Sequence, residues 1–473
     1  MMDNSKQDVE GSPGTSFQVI VLGAGGGPME DNCTSFLVRS MAQGWSKGSI
    51  LAVDTGVHLS AIDRLLEQYT QIPPERPHTL QGGPFAGLIL PNKSSEANTA
   101  HIARNLIGAH LITHPHLDHI AGGIISTASP SSKARVIAGL ASTIEALKNH
   151  IFNDVIWPNL SDENGGVGLV TFRRLVSGGS SVLGVGNTKG YVEVVEGLGV
   201  KSWGVSHGIC IGEFPYRSNS EIASTPTIIS SLHSASTHGP ISSPDDDDHQ
   251  RRICTSSAFF ILDFASGHEI LIWGDAEPDS ISLYPRNKQV WADAAPKIVR
   301  GTLKAIFIEC SFDDSRATEM LFGHFAPRFL IEELEVLAAE VERCRDESQS
   351  PRRQRDRDRE RGSPGSPTDL DYFRKSISIR KEKRGLGVRP PPINTPSYAI
   401  HSQGHRRASG DGNVFHEENA LEGVKIVIIH VKEKMEDGEE PREVILRQLK
   451  AFEKDSKLGC EFVVSEKGMN VYL

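Results

Sequence analysis

Cysteine is sparse in this chain. Only six fall in 473 residues (Cys33, Cys210, Cys254, Cys310, Cys344 and Cys460), and no two form a CxxC pair. That pattern excludes a disulfide framework and a structural zinc ribbon, and it points to a reducing compartment. Long apolar runs are lacking too. None reaches the roughly 20 residues needed to cross a bilayer. The first residues, MMDNSKQDVEGSPGTS, contain no hydrophobic stretch of the secretory-signal type. A soluble, cytoplasmic protein with no membrane partner is therefore expected. There is no basic excess either. Fifty Lys and Arg face sixty Asp and Glu, a formal charge of −10, whereas nucleic-acid binding favours a basic stripe. Hydrophobic content is 38%, low for a chain packed throughout. Part of the chain is expected to lie outside any core.

What is present reads as alternating strands and helices. Residues 1–15 form a polar tail expected to be disordered. Phe17–Leu22, Ser35–Ser40 and Gly48–Asp54 read as strands, and Val57–Tyr69 as an amphipathic helix. Ile107–Thr113 and Arg135–Ala138 are further strands, and Ser142–Phe152 is a helix. Residues 218–252 are rich in Ser, Thr, Pro and Asp and read as a loop insertion. Order returns with the hairpin SSAFFILDF and EILIWGDAE, the strand Lys304–Glu309 and the helix Arg328–Cys344. Residues 345–420 are charged and rich in Pro, Gly and Ser, so they cannot bury enough surface to offset chain entropy. Val424–Val431 is again a strongly apolar strand, and Glu443–Asp455 a short helix. About fifty such residues cannot make an independent core. Residues 421–473 are therefore expected to complete the domain begun at 16–344. The order of elements predicts a layered α/β fold.

One run concentrates chemistry. Thr113-His114-Pro115-His116-Leu117-Asp118-His119 places three histidines and an aspartate within six positions, directly after an apolar strand. His114 and His116 alternate along an extended strand end, so both imidazoles can face one cation. Asp118 and His119, on the turn that follows, can face a second. Zinc takes imidazole nitrogen and carboxylate oxygen and keeps an open position where it is catalytic. Two such ions clamp both the attacking and the leaving oxygen of a phosphate displacement. More ligands are needed, and strand ends supply them. His207 precedes a glycine, Asp275 follows the apolar EILIWG, and His430 ends KIVIIH.

The order of these motifs resembles the metallo-β-lactamase superfamily. The segments LGAGGGPMEDNCTSFLV, VDTG, THPHLDHIAGGIIS, HIFNDVIWPNL, SHG, WGDAEPD, FIECSF, LFGHFAPRFLIEEL and IIHVKE are similar to the class II cyclic-nucleotide phosphodiesterases, the low-affinity cAMP phosphodiesterases of fungi and related enzymes. Gly123 departs from that pattern, since a larger aliphatic residue is expected there. The resemblance implies an αββα sandwich, a single domain carrying long disordered insertions. It implies a metal-dependent hydrolysis of 3′,5′-cyclic AMP, and also of cyclic GMP, to the 5′-monophosphate. His114, His116 and His207 would hold one divalent metal, and Asp118, His119 and His430 the other, with Asp275 bridging. Zinc is the expected metal.

His324, in GHFAPRF, is similar in position to a non-ligand histidine of related tRNA-processing enzymes. It is a candidate general acid or phosphate contact beside Asp118. Asp54 is expected to orient a ligand histidine, and Asn32 and Thr34 to line the pocket rim. Gly23–Gly27 lacks the GxGxxG order of a dinucleotide site and reads as a tight turn. Arg406-Arg407-Ala408-Ser409 matches the pattern favoured by cAMP-dependent protein kinase, a candidate regulatory partner acting at Ser409. The resemblance also implies a homodimer. Two alternatives stand beside the phosphodiesterase reading. One is a tRNA 3′-processing nuclease of the same fold, which needs a basic surface. The other is a binding protein with a decayed site, which conflicts with the presence of all seven candidate ligands.

Overall fold

The computed structural model describes residues 14–70, 77–129, 133–210, 252–349 and 419–473. Ser409 and residues 218–251 of the expected loop insertion lie outside the described residues. Two seven-stranded sheets organise the main unit. The first comprises β1 (Phe17–Gly23), β2 (Ser35–Ser40), β3 (Ile50–Thr55), β6 (Ile107–Leu111), β7 (Arg135–Leu140), β8 (Val170–Leu175) and β16 (Asn470–Tyr472). Its order is β16-β1-β2-β3-β6-β7-β8. β4 (His78–Thr79) and β5 (Ile89–Leu90) form a separate small hairpin. The second sheet comprises β9 (Val192–Val195), β10 (Leu198–Cys210), β11 (Arg252–Asp263), β12 (Glu269–Trp273), β13 (Leu303–Glu309), β14 (Lys425–Ile429) and β15 (Glu461–Val464), in the order β15-β14-β13-β12-β11-β10-β9.

Each sheet is antiparallel on one side and parallel on the other. In the first, β16, β1, β2 and β3 pair antiparallel, whereas β3, β6, β7 and β8 pair parallel. In the second, β9 to β12 pair antiparallel and β12 to β15 parallel. β14, from beyond residue 420, inserts between β13 and β15.

Strand alternation explains the layers, because successive side chains point to opposite faces. On β11, Phe259 and Ile261 join the core between the sheets, with Val19, Val21, Phe36, Val38, Leu51, Val53 and Phe307. Phe36 and Phe307 meet edge to face there, centroids 6.2 Å apart. The intervening Ala258, Phe260 and Leu262 face the other way. They pack with residues of α5 (Asn287–Val299), α6 (Pro327–Gln349) and α7 (Pro441–Ser456). On the first sheet, Ile20, Leu22, Ile50 and Ala52 cover α1 (Leu59–Tyr69). Ile112 and Ile137 pack against α3 (Leu117–Ser126) and α4 (Ala141–Ala146). A short helix, α2 (Ser95–His101), lies beside α1. The layers are thus helix, sheet, sheet, helix, the αββα sandwich that the resemblance implies. No helix among the described residues is long and apolar enough to cross a membrane.

Beneath α3 lies a pair of histidines. His58 and His110 are fully buried, their rings 5.4 Å apart, and none of their four nitrogens has a hydrogen-bond partner. Burial pushes His58 down to about 3, and His110 well below its ordinary value, with Arg135 adding to both shifts. Both are neutral in the folded chain, whereas the unfolded chain protonates them below about pH 6.5. The unfolded state then binds more protons, so stability falls as pH drops below that value. Each histidine should contribute up to about 1.4 kcal/mol per pH unit between about pH 6 and 4. Urea unfolding across that range should show a shallower slope in a His58→Leu/His110→Leu variant. Equal slopes would remove this pair as a source of acid sensitivity.

Candidate metal centre

The candidate ligands arrive from the carboxyl ends of parallel strands. β6 delivers His114, β12 delivers Asp275 and β14 delivers His430. His116 is the residue before α3, and Asp118 and His119 occupy the first turn of that helix rather than a turn preceding it. The difference has a plain cause: Pro115 ends the extended segment, and the helix starts one residue after His116. His207 lies within β10, not after it. It sits where the register against β11 shifts between Ser206 and Ile209, and such a bulge re-aims a side chain.

These residues converge in two groups. His114, His116, His207 and Asp275 offer donor atoms within 4.8 Å of one another, and so do Asp118, His119, Asp275 and His430. Asp275 belongs to both. Its Oδ2 lies 3.7 Å from His114 Nε2, 3.7 Å from His207 Nε2 and 3.1 Å from His430 Nε2. Its Oδ1 lies 3.2 Å from His119 Nε2. Asp118 Oδ2 stands 3.6 Å from His430 Nε2 and 4.0 Å from His119 Nε2.

The opposite ring nitrogens are all engaged. His119 Nδ1 lies 2.8 Å from Asp54 Oδ2. The Thr113 hydroxyl donates to the same Asp54 carboxylate, so it can only accept from His114 Nδ1, 3.1 Å away. The Thr34 hydroxyl donates to the Gly25 carbonyl and therefore accepts from His430 Nδ1 at 2.6 Å. His207 Nδ1 donates to the Gly323 carbonyl at 2.8 Å. Acceptors thus hold the proton on Nδ1 in all four rings and turn the Nε2 lone pair inward, the arrangement a metal-ligating histidine needs. His116 differs, because Cys254 Sγ lies 3.7 Å from its Nε2.

The centre fits divalent cations on its own chemistry. His114, His119 and His430 Nε2 and Asp275 Oδ1 are buried and make no hydrogen bond. Buried polar atoms without a partner are rare and costly. Their separations suit donors that share an ion at about 2.0–2.2 Å. Burial holds His114 well below its ordinary value and His207 down at about 4, which keeps both neutral as ligation requires. Burial also opposes charge on His119, but the carboxylates of Asp275 and Asp54 outweigh it and hold that ring well above its ordinary value. A cation bound there would displace the second proton of His119, since the same carboxylates attract either.

Close backbone approach completes the cradle. A Cβ at Gly26 would sit 2.6 Å from His430 Nε2, so the turn after β1 tolerates no side chain there. Asn32 and Thr34, expected at a pocket rim, are instead buried. Thr34 stands behind His430, and Asn32 bonds the Ala24 amide and Glu433 Oε1. The chain after β1 folds back over these residues and removes them from solvent. At Gly123, a Cβ would collide with the Thr55 side chain, which accounts for the small residue there. A cavity of about 1060 Å³ opens beside Asp118, between Gly26–Pro28, the start of α1 and α3.

Glu309, at the end of β13, was not singled out in the sequence. Its Oε1 lies 2.9 Å from His324 Nδ1, and its Oε2 accepts from Ser311. Burial and the neighbouring Asp275 push it up to about 7. The signal that marks Asp275 and His430, a polar residue ending an apolar strand, marks Glu309 equally. His324 itself reaches to 3.8 Å from Asp275 Oδ2. Lys432 adds a cation: its Nζ donates to the Gly26 carbonyl at 2.6 Å and stands 3.5 Å from Asp118 Oδ2.

Asp54 anchors two of the four oriented rings, so its removal should weaken the centre without unfolding the chain. Asp54→Ala is expected to lower metal affinity about 10- to 100-fold. Titration of bound metal checks this, with circular dichroism as the fold control, and an unchanged affinity would refute the orienting role.

Comparisons with known proteins bear on the family and the fold. The family model of the cAMP phosphodiesterases class-II matches residues 16–348 and 412–468. A 3′,5′-cyclic-nucleotide phosphodiesterase of Schizosaccharomyces pombe is 29% identical over 335 residues, covering 69% of this chain and 77% of its own. A second, from Aliivibrio fischeri, is 28% identical over 322 residues, 68% of this chain and 76% of its own. The crystal structure of unliganded yeast PDE1 superposes with a TM-score of 0.59 at 20% identity, over 97% of this chain and all of that one. At that identity the likeness speaks for the fold. A match across most of the chain, on a sandwich whose strand ends carry the motif histidines, places this protein in the class-II cAMP phosphodiesterase family.

Proposed function

We propose that this protein hydrolyses 3′,5′-cyclic nucleotides, cyclic AMP and also cyclic GMP, to the 5′-monophosphates. The observation that carries this reading is the shared carboxylate of Asp275, ringed by four imidazole nitrogens that face it. His114, His116 and His207 would hold one ion, Asp118, His119 and His430 the other, with Asp275 common to both. Zinc suits this set of nitrogen and oxygen donors. When bound, such ions lower the pKa of coordinated water and neutralise charge on phosphoryl oxygens.

The chain's own residues do the rest. Asp118, about a quarter exposed, faces the open side where substrate arrives. Lys432 and His430 flank its carboxylate and fix its direction. His324 is placed to protonate the departing 3′-oxygen. Glu309 accepts from its Nδ1 and so presents Nε2 outward. Burial pushes His324 down to about 4, against the pull of Asp275, so the ring starts neutral. An arriving phosphodiester anion favours its cationic form, which ties proton delivery to substrate binding. Residues 16–344 and 421–473 are read as one catalytic unit. A cytoplasmic location and a homodimer complete the reading.

The purified protein should convert cyclic AMP to 5′-AMP, and chelation or Asp118→Ala should abolish turnover. Metal-loaded protein that hydrolyses tRNA ends but neither cyclic nucleotide would overturn the substrate. His324→Ala should lower kcat about 10²- to 10⁴-fold, the range for a lost general acid, with little change in KM. An undiminished kcat would remove the acid role. Phosphorylation of Ser409 by cAMP-dependent protein kinase would add about two negative charges. Equal labelling of wild type and Ser409→Ala would dismiss that regulation.

A further inference from the structure

Four consecutive residues after α5 behave in an unusual way. Leu321 is buried, at 1% exposure, and anchors the segment. Phe322 turns outward, 62% exposed, with a left-handed φ of +52°. A phenylalanine in that conformation is a genuine outlier. Gly323 accepts from His207 Nδ1 through its carbonyl, and a Cβ there would lie 2.8 Å from the Gly208 amide nitrogen. His324 then enters the centre beside Asp275 and Glu309. The Phe322 backbone cannot relax without moving His207 and His324. The ring is therefore held outside on a rigid mount belonging to the reaction centre.

A stack of groups connects that ring to the centre. The Arg316 guanidinium lies 5.9 Å from the Phe322 ring centroid and 4.2 Å from that of Phe312. Phe312 meets His324 edge to face at 5.9 Å. Arg316 Nε donates to the Met320 carbonyl at 3.0 Å, which fixes its plane, and among the described residues it makes no ion pair. The sequence Phe322, Arg316, Phe312, His324 thus runs inward from solvent to the metal ligands. A scattered exposed phenylalanine needs no explanation. One that is strained, immobilised and joined to the centre by a guanidinium does. Flat aromatic faces and guanidinium planes are the surfaces on which nucleobases stack.

We infer that Phe322, backed by Arg316 and Phe312, is the platform on which the purine base of the cyclic nucleotide stacks. This rests on the cyclic-nucleotide reading above. It deepens that reading by naming where the base goes. Stacking tolerates any base because every base has a π-face, so this platform binds adenine and guanine alike. The ring's fixed position means that little ordering remains to be done on binding.

The test compares wild type, Phe322→Ala and Phe322→Trp on three substrates: cyclic AMP, cyclic GMP and the base-free diester bis(p-nitrophenyl) phosphate. Phe322→Ala should raise KM for both cyclic nucleotides about ten-fold, as for a lost base–aromatic stack. Its kcat and metal content should stay within about threefold of wild type, and the base-free diester should be unaffected. Phe322→Trp should restore the KM. An unchanged KM for the cyclic nucleotides in Phe322→Ala would overturn the platform. So would an equal loss on the base-free diester, which would mean damage to His207 or His324. Wild-type protein that turns over the base-free diester but neither cyclic nucleotide would instead sink the substrate reading itself, and the platform with it.

Discussion

The Asp275 carboxylate governs this structure. It is buried, at 1% exposure, and four imidazole nitrogens stand within 3.1 to 3.7 Å of it. An ionised carboxylate taken out of water costs several kcal/mol unless cations and hydrogen bonds compensate. Asp275 Oδ1 has no hydrogen-bond donor of its own. Compensation must come from positive charge, and the geometry assembles the means to hold it. Each imidazole that faces Asp275 is gripped from behind by an acceptor: Asp54, Thr34, Thr113 or the Gly323 carbonyl. The outer groups fix proton positions, the proton positions fix the lone pairs, and the lone pairs define where a cation can sit.

Fold topology makes that convergence possible. In open sheets with parallel strands, ligands gather at the carboxyl ends of those strands. Here two sheets each have a parallel half, and the carboxyl ends of β3, β6, β12, β13 and β14 bear Asp54, His114, Asp275, Glu309 and His430. The apolar strands behind them supply rigidity through the core shared by both sheets. Segments separated by hundreds of residues then meet, as where the Thr34 hydroxyl touches His430. The same topology explains why β14 is needed: it carries His430 and occupies an interior position of its sheet.

Much of this was legible in the sequence. Strand periodicity located the layers, and the dense run from His114 to His119 marked the centre without help from any fold. Asp275 and His430 were found because each ends an uninterrupted apolar strand. What escaped was relational. Thr34 and Asn32 are polar residues near a glycine turn, and nothing local says that they lie buried behind His430 and beside Glu433. The bulge that re-aims His207 depends on how β10 pairs with β11, a register no local pattern shows. Glu309 was readable by the strand-end rule but had no histidine neighbour in sequence to draw attention to it.

Backbone strain separates residues that serve the centre from those that merely turn the chain. Among the described residues, six that are not glycine have positive φ: Asp54, Asp154, Asn164, Phe322, His430 and Lys457. Asp154 and Asn164 are exposed loop residues, and Lys457 ends α7 in the common left-handed cap. The remaining three surround the metal centre. Such conformations cost on the order of 1–3 kcal/mol each and survive only where the surroundings over-determine them. At Asp54 the carboxylate is held by the Thr113 amide and hydroxyl and by His119. At His430 the ring is clamped between Thr34 and Asp275, and its carbonyl lies 3.0 Å from the Ser311 hydroxyl. Three strained residues clustered at one centre mean that the sandwich yields stability there in exchange for fixed directions of a carboxylate, an imidazole and an aromatic ring. A centre that gathers six candidate ligands around one buried carboxylate gains more from that rigidity than from the stability it gives up.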